Sequence, residues 1–268
     1  MKKNRVRLVC VDVDGTMVGV SGTVHPRVWR AAERAHAAGV ALTMCSGRPG
    51  FGVTREIAER LDTRGWHSFQ NGASILHLGD GRSLSTGLPP ETVAMLVERS
   101  RALGRILELY SDDDYVCESR HPWAAKHAGL LGVPYRPRPL ESLHGSVVRA
   151  QWLIPHDELD TVIAEPHPGI EISPSLAPIV PEVRFVNLTR AGIDKGTAVR
   201  LVAAEYGVAL EEVMYVGDGL NDAPALRIVG HPVAMGNAEP EARAAARHVV
   251  GHVDEGGLAE ALELALAA

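Results

Sequence analysis

The sequence predicts an α/β protein, a parallel sheet covered by helices and interrupted by an inserted α+β segment. Both ends of the 268-residue chain alternate short, continuously apolar runs with helical stretches, the profile of βαβ units whose strands are buried on two faces. The middle is richer in Pro, Asp and His, and its strands alternate apolar with polar residues, as antiparallel strands with one solvated face do. The length suits one large or two ordinary domains.

In chain order, Arg7 to Val13 is an apolar run that ends in acid, a buried parallel strand, and a loop through Gly15, Gly19 and Gly22 follows it. Pro26 opens a helix to about Ala38, where Gly39 stops it. Val40 to Cys45 is a second buried strand and Phe51 to Leu61 a second helix, completing a right-handed βαβ unit. Glu91 to Leu103 and His156 to Ala164 fit helices; Ile106 to Tyr110, Tyr115 to Glu118 and Val147 to Ile154 fit half-buried antiparallel strands. The first rhythm then returns. Lys195 to Tyr206 reads as helix, Val213 to Val216 as strand, Asp222 to Ile228 as helix and His231 to Ala234 as strand, before a final Ala-rich helix. The expected architecture is a doubly wound, Rossmann-like parallel sheet built from residues 1–82 and 187–268, with residues 83–186 as the insert.

Apolar residues make up 46% of the chain and charged residues 22%, the composition of a folded globular protein. A net charge of −6 with no long basic block argues against nucleic acid or an anionic membrane as the main partner. A protein so charged binds phosphate only through a local cation or metal. Cys10, Cys45 and Cys117 show neither metal-ligand nor disulfide spacing, and the first two sit in apolar runs as small core residues. The basic start runs into apolar residues broken by Asp12, too short and too acidic for a signal peptide or anchor. No apolar stretch reaches spanning length, so a cytoplasmic location is expected.

The chemistry is concentrated in four places. In Asp12-Val13-Asp14-Gly15-Thr16, residues two apart on a strand share a side, so two carboxylates emerge together where open α/β sheets place their ligands. Adjacent carboxylates repel unless a cation is shared or one is protonated; the plain alternative is a solvated strand end. Gly217-Asp218-Gly219-Leu220-Asn221-Asp222 repeats the arrangement after the strand ending at Val216. A helix cap at Asn221 or Asp222 is its simpler explanation, and Asp222 stands where a dinucleotide loop needs its third glycine. Ser46-Gly47-Arg48 offers a hydroxyl and backbone N–H groups at a helix start, a place for a phosphate oxygen, although alone it is a turn. Lys195 opens a helix; alone it is a surface charge. The nearby stretch from Gly192 to Thr197 lacks the spacing of a P-loop.

Taken together, Asp12 with Asp14, Ser46, Lys195, and Asp218 with Asn221 and Asp222, each in its own βα context, resemble the four motifs of the haloacid dehalogenase superfamily. The resemblance spans the whole core. The insert, entered after Phe69-Gln70-Asn71-Gly72-Ala73, resembles the C2B cap of the Cof-type (subclass IIB) phosphatases, and Val233 to Ala238 resembles a recurrent segment of that group.

The resemblance implies a phosphatase that acts on a small-molecule phosphate ester such as a sugar phosphate. Asp12 would be the nucleophile and form an aspartyl-phosphate, and Asp14 the acid/base. Mg2+ would be held by Asp12, the Asp14 carbonyl and Asp218, an all-oxygen set. Ser46, the Val13 and Gly47 N–H groups, Lys195 and Asn221 would bind the phosphoryl oxygens, with Asp222 orienting Lys195 or a metal-bound water. Hinges are expected near Gly72–Arg82 and Phe185–Arg190. Arg48 is a candidate leaving-group contact; Asp113, His121 and His127 are weaker ones, each expected on an exposed surface. Gly217 to Leu226 also resembles P-type transport ATPases, but those carry lysine where this chain has Asp14, and no membrane helices are expected here. Two rival functions stay open: a phosphosugar mutase of the same superfamily, which would return the phosphoryl group to another hydroxyl, and a non-catalytic phosphometabolite sensor.

Overall fold

The computed structural model describes residues 5–175 and 180–268. Positions 176–179, inside the predicted insert, lie outside the described residues. In chain order the elements are β1 (Leu8–Val11), α1 (Pro26–Ala37), β2 (Ala41–Met44), α2 (Val53–Leu61), β3 (Trp66–Phe69) and β4 (Ser74–His77). Next come α3 (Pro90–Leu103), β5 (Ile106–Tyr110), β6 (Tyr115–Cys117), α4 (Pro122–Leu131), β7 (Arg149–Pro155), α5 (Leu159–Ala164), β8 (Ile170–Ser175) and β9 (Val183–Arg190). The chain ends with α6 (Lys195–Glu205), β10 (Val213–Gly217), α7 (Ala223–Leu226), β11 (His231–Ala234), α8 (Pro240–Ala245), β12 (His248–Val249) and α9 (Gly257–Ala267). Two units result. Met1–Gly47, Ile57–Leu84 and Asp194–Ala268 form the first; Arg48–Glu56 and Ser85–Ile193 form the second.

The first unit is built on a parallel sheet in the order β12-β11-β10-β1-β2. Apart from the exposed two-residue edge β12, its strands are short and mostly apolar because both faces are covered. Val9, Val11, Leu42, Met44, Met214 and Val216 pack on one side with α1 and α9, whereas Leu8, Cys10, Val213 and Tyr215 pack on the other with α6 and α7. In α1 the buried residues Val28, Trp29, Ala31, Ala32 and Ala35 form the single apolar stripe that such a helix needs. From β1 the chain crosses through α1 to β2 on one flank, and from β10 through α7 to β11 on the other. The carboxyl ends of β1 and β10 are therefore a topological switch point, where open sheets bind ligands. Past Met44, Cys45 bridges to Ser68 of β3, and β3 forms an antiparallel hairpin with β4. The α/β class read from the sequence is the one observed.

The second unit holds an antiparallel sheet in the order β6-β5-β7-β9-β8. One face is an ordinary core: Leu107, Leu109, Ala150, Trp152, Ile154, Val186 and Leu188 pack against Leu96 of α3 and Val162 of α5. The opposite face carries a second, smaller apolar cluster of Leu153, Val183 and Phe185 and, beside it, a buried polar patch with Glu108 at its centre. Its carboxylate accepts from Tyr110 Oη (2.6 Å), Tyr115 Oη (2.8 Å), Gln151 Nε2 (2.8 Å) and His127 Nδ1 (2.8 Å). The Arg149 guanidinium stacks 4.1 Å from the Tyr110 ring centroid.

Some expectations need correction. Phe185–Arg190, expected as a hinge, is the C-terminal part of β9: Phe185–Leu188 pair with both β7 and β8, and Thr189 and Arg190 with β8; a segment so paired is held in the sheet and does not serve as a hinge. The antiparallel sheet therefore runs past residue 186, and the chain passes between the units at Leu84/Ser85 and Ile193/Asp194, as well as at Gly47/Arg48 and Glu56/Ile57 around the short segment that joins the second unit. His127 is buried against Glu108, not exposed, whereas His121 caps α4, its ring Nδ1 accepting from Trp123 N at 3.2 Å. Asp113 is exposed.

Candidate active site

Asp12 directly follows β1, and its N–H donates to the Val216 carbonyl at 3.0 Å, which ties it to the end of β10. The chain then turns sharply: the Val13 carbonyl accepts from the N–H groups of Thr16, Met17 and Val18. Gly15 sits at φ +81°, and a Cβ there would collide with the Asp218 carboxylate. The glycine thus lets the two acidic loops approach each other. Thr16 Oγ1 donates to Asp218 Oδ1 at 2.7 Å, and Asn237 Nδ2 donates to the Gly15 carbonyl at 2.7 Å.

Lys195 arrives from the other face of the sheet. Asp194 and Thr197 form a capping box at the start of α6, with Asp194 Oδ1 accepting from Thr197 N at 2.7 Å and Thr197 Oγ1 accepting from Asp194 N at 3.0 Å. That box sets Lys195 in the first helical turn. Its ammonium, 1% exposed, donates to Asp12 Oδ1 and to Asp222 Oδ1, each at 2.6 Å. It is not the surface charge that a first-turn lysine usually is. Burial alone would lower its pKa, but the charges of Asp12 and Asp222 outweigh burial and raise it, so it stays charged at any ordinary pH.

Asp222 is fully buried and fully hydrogen-bonded. Oδ1 accepts from Lys195 and from Tyr215 Oη (2.6 Å); Oδ2 accepts from Asp218 N (2.9 Å) and Gly219 N (2.8 Å). Asp222 is thus a clamp that fixes both Lys195 and the loop carrying Asp218.

Oxygens of Asp12, Asp218 and Asp222 lie within 4.8 Å of one another. Since both oxygens of Asp222 are already taken, Asp12 and Asp218 are the side chains suited to face a cation. Lys195 occupies Asp12 Oδ1; Oδ2 carries no hydrogen bond among the described residues. Three carboxylates against one ammonium leave two uncompensated negative charges. The protonation tendencies register that excess. Burial, then the Asp222 charge, pushes Asp12 well above the usual carboxylate range, against the pull of Lys195. Burial likewise raises Asp218 to about 6 despite the Thr16 hydroxyl, with Asp222 and Asp14 adding to the rise. A hard divalent cation with oxygen ligands fits this donor set in charge and in chemistry.

Ser46 and Gly47 follow β2. Ser46 is buried, its N–H donating to the Ser68 carbonyl at 2.9 Å and its carbonyl accepting from Asn71 N at 3.0 Å. Exposed Asn221 donates through Nδ2 to Asn71 Oδ1 at 3.0 Å. The Asp14 side chain is exposed. Asp12, Val13, Asp14, Ser46, Gly47, Lys195, Asp218, Asn221 and Asp222 all belong to the first unit, while Arg48 falls in the second. Four further residues hold the arrangement and were not singled out from the sequence: Thr16, Asn71, Tyr215 and Asn237.

The haloacid dehalogenase-like hydrolase family model matches residues 9–262. An HMP-PP phosphatase of Cronobacter sakazakii is 23% identical over 268 residues, covering 96% of this chain and 94% of that protein. A haloacid dehalogenase-like hydrolase from Bacteroides thetaiotaomicron superposes with a TM-score of 0.86 at 26% identity, over 97% of this chain and 99% of the other. A subclass IIB sugar phosphatase of the same superfamily superposes with a TM-score of 0.79 at 24% identity, over 97% and 98% of the two chains; that likeness is one of fold.

Proposed function

The chain belongs to the haloacid dehalogenase-like hydrolases, and we propose that it is a magnesium-dependent phosphatase of a small phosphorylated metabolite, a sugar phosphate or a compound like it. The observation that carries this proposal is the buried Asp12–Lys195–Asp222 link beside Asp218 at the carboxyl ends of β1 and β10. A reactive carboxylate is held there beside excess negative charge that asks for a divalent cation.

Asp12, Asp218 and the Asp14 carbonyl would hold the ion, which when bound offsets the repulsion between the Asp12 carboxylate and a dianionic phosphate. In the first half-reaction Asp12 Oδ2 attacks phosphorus, the bond from phosphorus to the ester oxygen breaks, and Asp14 gives its proton to the departing alcohol. In the second, Asp14 takes a proton from water as that water attacks phosphorus, freeing Asp12 and phosphate. Lys195, the Ser46 hydroxyl, the N–H groups of Val13 and Gly47, and Asn221 hold the phosphoryl oxygens, whose charge is the main quantity a phosphoryl-transfer site stabilises. Asp222 keeps Lys195 aimed at Asp12, in line with its four hydrogen bonds. The first unit acts as the catalytic core and the second as the cap, with Arg48 contributing to leaving-group recognition. A cytoplasmic site of action is part of this proposal; no helix among the described residues is long and apolar enough to cross a membrane.

A panel of sugar phosphates and p-nitrophenyl phosphate tests it. Phosphate release is expected with Mg2+, silence in EDTA, and recovery when Mg2+ is returned. Asp12→Asn is expected to lower turnover by about 10³-fold or more while the circular dichroism spectrum is unchanged; a rate within tenfold of wild type would contradict a nucleophilic Asp12.

A further inference from the structure

Three loops that carry the candidate phosphate-binding groups meet on one turn that has no assigned part, Gln70–Gly72, between β3 and β4. Asn71 is its centre. The Asn71 N–H donates to the Ser46 carbonyl at 3.0 Å, and its side-chain Oδ1 accepts from Asn221 Nδ2 at 3.0 Å. The same Oδ1 lies 3.1 Å from the point that a Cβ on Gly47 would occupy. Next to it, Gly72 at φ +100° approaches the Asp194 carbonyl so closely that a Cβ would collide with it. Asp194 caps the helix that presents Lys195. A single turn therefore touches the Ser46–Gly47 loop, the Asn221 loop and the head of the Lys195 helix.

The backbone there is unusual. Gln70 (φ 53°) and Asn71 (φ 56°) are the only non-glycine residues with positive φ among the described residues, and they are adjacent. A left-handed conformation is unfavourable for an ordinary L-residue and less so for asparagine. A turn residue chosen only to tolerate that conformation would explain the backbone, and glycine would serve it better. It would not explain a carboxamide oxygen aimed at the amide of Asn221.

Resting on the phosphatase reading, we propose that Asn71 is a positioning residue for phosphoryl-group binding. An amide nitrogen carries two hydrogens. Asn71 Oδ1 takes one of them and so fixes which way the Asn221 carboxamide faces, leaving the second N–H to donate to a phosphoryl oxygen. Without Asn71 Oδ1 the Asn221 amide can rotate by half a turn and offer a carbonyl oxygen, which repels phosphate. Its backbone N–H meanwhile steadies the Ser46–Gly47 loop from beneath.

Asn71→Gly separates the two roles, because it keeps the left-handed backbone and the N–H but removes the carboxamide. With p-nitrophenyl phosphate and Mg2+, kcat/KM is expected to fall about tenfold, while the thermal midpoint stays within about 3 °C of wild type. Asn221→Ala is expected to lose a comparable factor. The Asn71→Gly/Asn221→Ala double variant should be no slower than Asn221→Ala alone, because the first residue acts through the second. Wild-type kcat/KM in Asn71→Gly, or losses that multiply in the double variant, overturns the proposal while leaving a phosphatase. A wild-type protein that releases no phosphate from any ester in the panel overturns the phosphatase reading itself, and this role with it.

Discussion

Lys195 is a cation that water cannot reach, and what surrounds it decides whether the acidic cluster holds its shape. Removing a partner from a buried ionic group costs more than the pair is worth, since a charge is left unmatched. Tyr215 tests this without touching the carboxylates. Its hydroxyl is one of four donors to Asp222. Tyr215→Phe is expected to cost about 1.5–3 kcal/mol in urea unfolding and to slow turnover, because a loosened Asp222 loosens Lys195; a loss under about 0.5 kcal/mol would show that Asp222 does not depend on it. In the sequence, Asp12 and Asp218 were legible because charge at the end of an apolar run asks for a reason, whereas Lys195 and Asp222, alone a surface charge and a helix cap, were legible only through the combined pattern of motifs. Tyr215 was not, because within Val-Met-Tyr-Val-Gly an aromatic ring reads as core and its hydroxyl gains a partner only once the strand is placed. Thr16 and Asn237 stood in stretches singled out for other reasons, and Asn71 looked like a turn residue at the entrance to the insert.

Among the elements, β5 is unusual in carrying a buried carboxylate at its middle. Burial alone would raise the pKa of Glu108, but the charge of His127 and the hydrogen bonds from His127, Tyr110 and Tyr115 outweigh it and hold it below the ordinary range. A carboxyl depressed on folding stabilises above its unfolded pKa, about 4.3, and that contribution is lost as pH falls through the folded value. Glu108→Gln is therefore expected to cost about 2–4 kcal/mol near pH 6, with the gap to wild type narrowing below about pH 4 in urea titrations; a gap that does not depend on pH would mean that shape rather than charge matters at β5. Period and composition placed β1, β2, β5, β7, β10 and β11 to within about two residues, since apolar runs bounded by turns survive any context. They missed β8 and β9, the first interrupted by Pro174, and α4, where apolar residues lie all around the helix and leave no stripe. The β3–β4 hairpin escaped because Trp-His-Ser-Phe has neither a clean alternation nor a continuous apolar run.

For the molecule as a whole, a cation that binds only the native acidic cluster must also stabilise it. Mg2+ at a hundredfold excess over its Kd is expected to add about 2.7 kcal/mol, a rise of roughly 5–10 °C in the transition that unfolds the first unit. Asp218→Asn should remove most of that rise, and an equal rise in the variant would put the cation elsewhere. The change in composition between the ends and the middle of the chain made the two-unit plan legible, but not the inclusion of Arg48–Glu56 in the second unit, which depends on contacts across the chain. The pairing of β1 with β10 has a further consequence. Leu8 lies beside Val213, so on the ribosome the first strand waits for its partner while the intervening stretch of chain is translated, roughly 10–40 s at about 5–20 residues per second. The antiparallel sheet from β5 to β9 is complete in the nascent polypeptide before that partner emerges. For that interval the amide and carbonyl groups along one side of β1 have no strand to bond to, and a chaperone would find an apolar edge there.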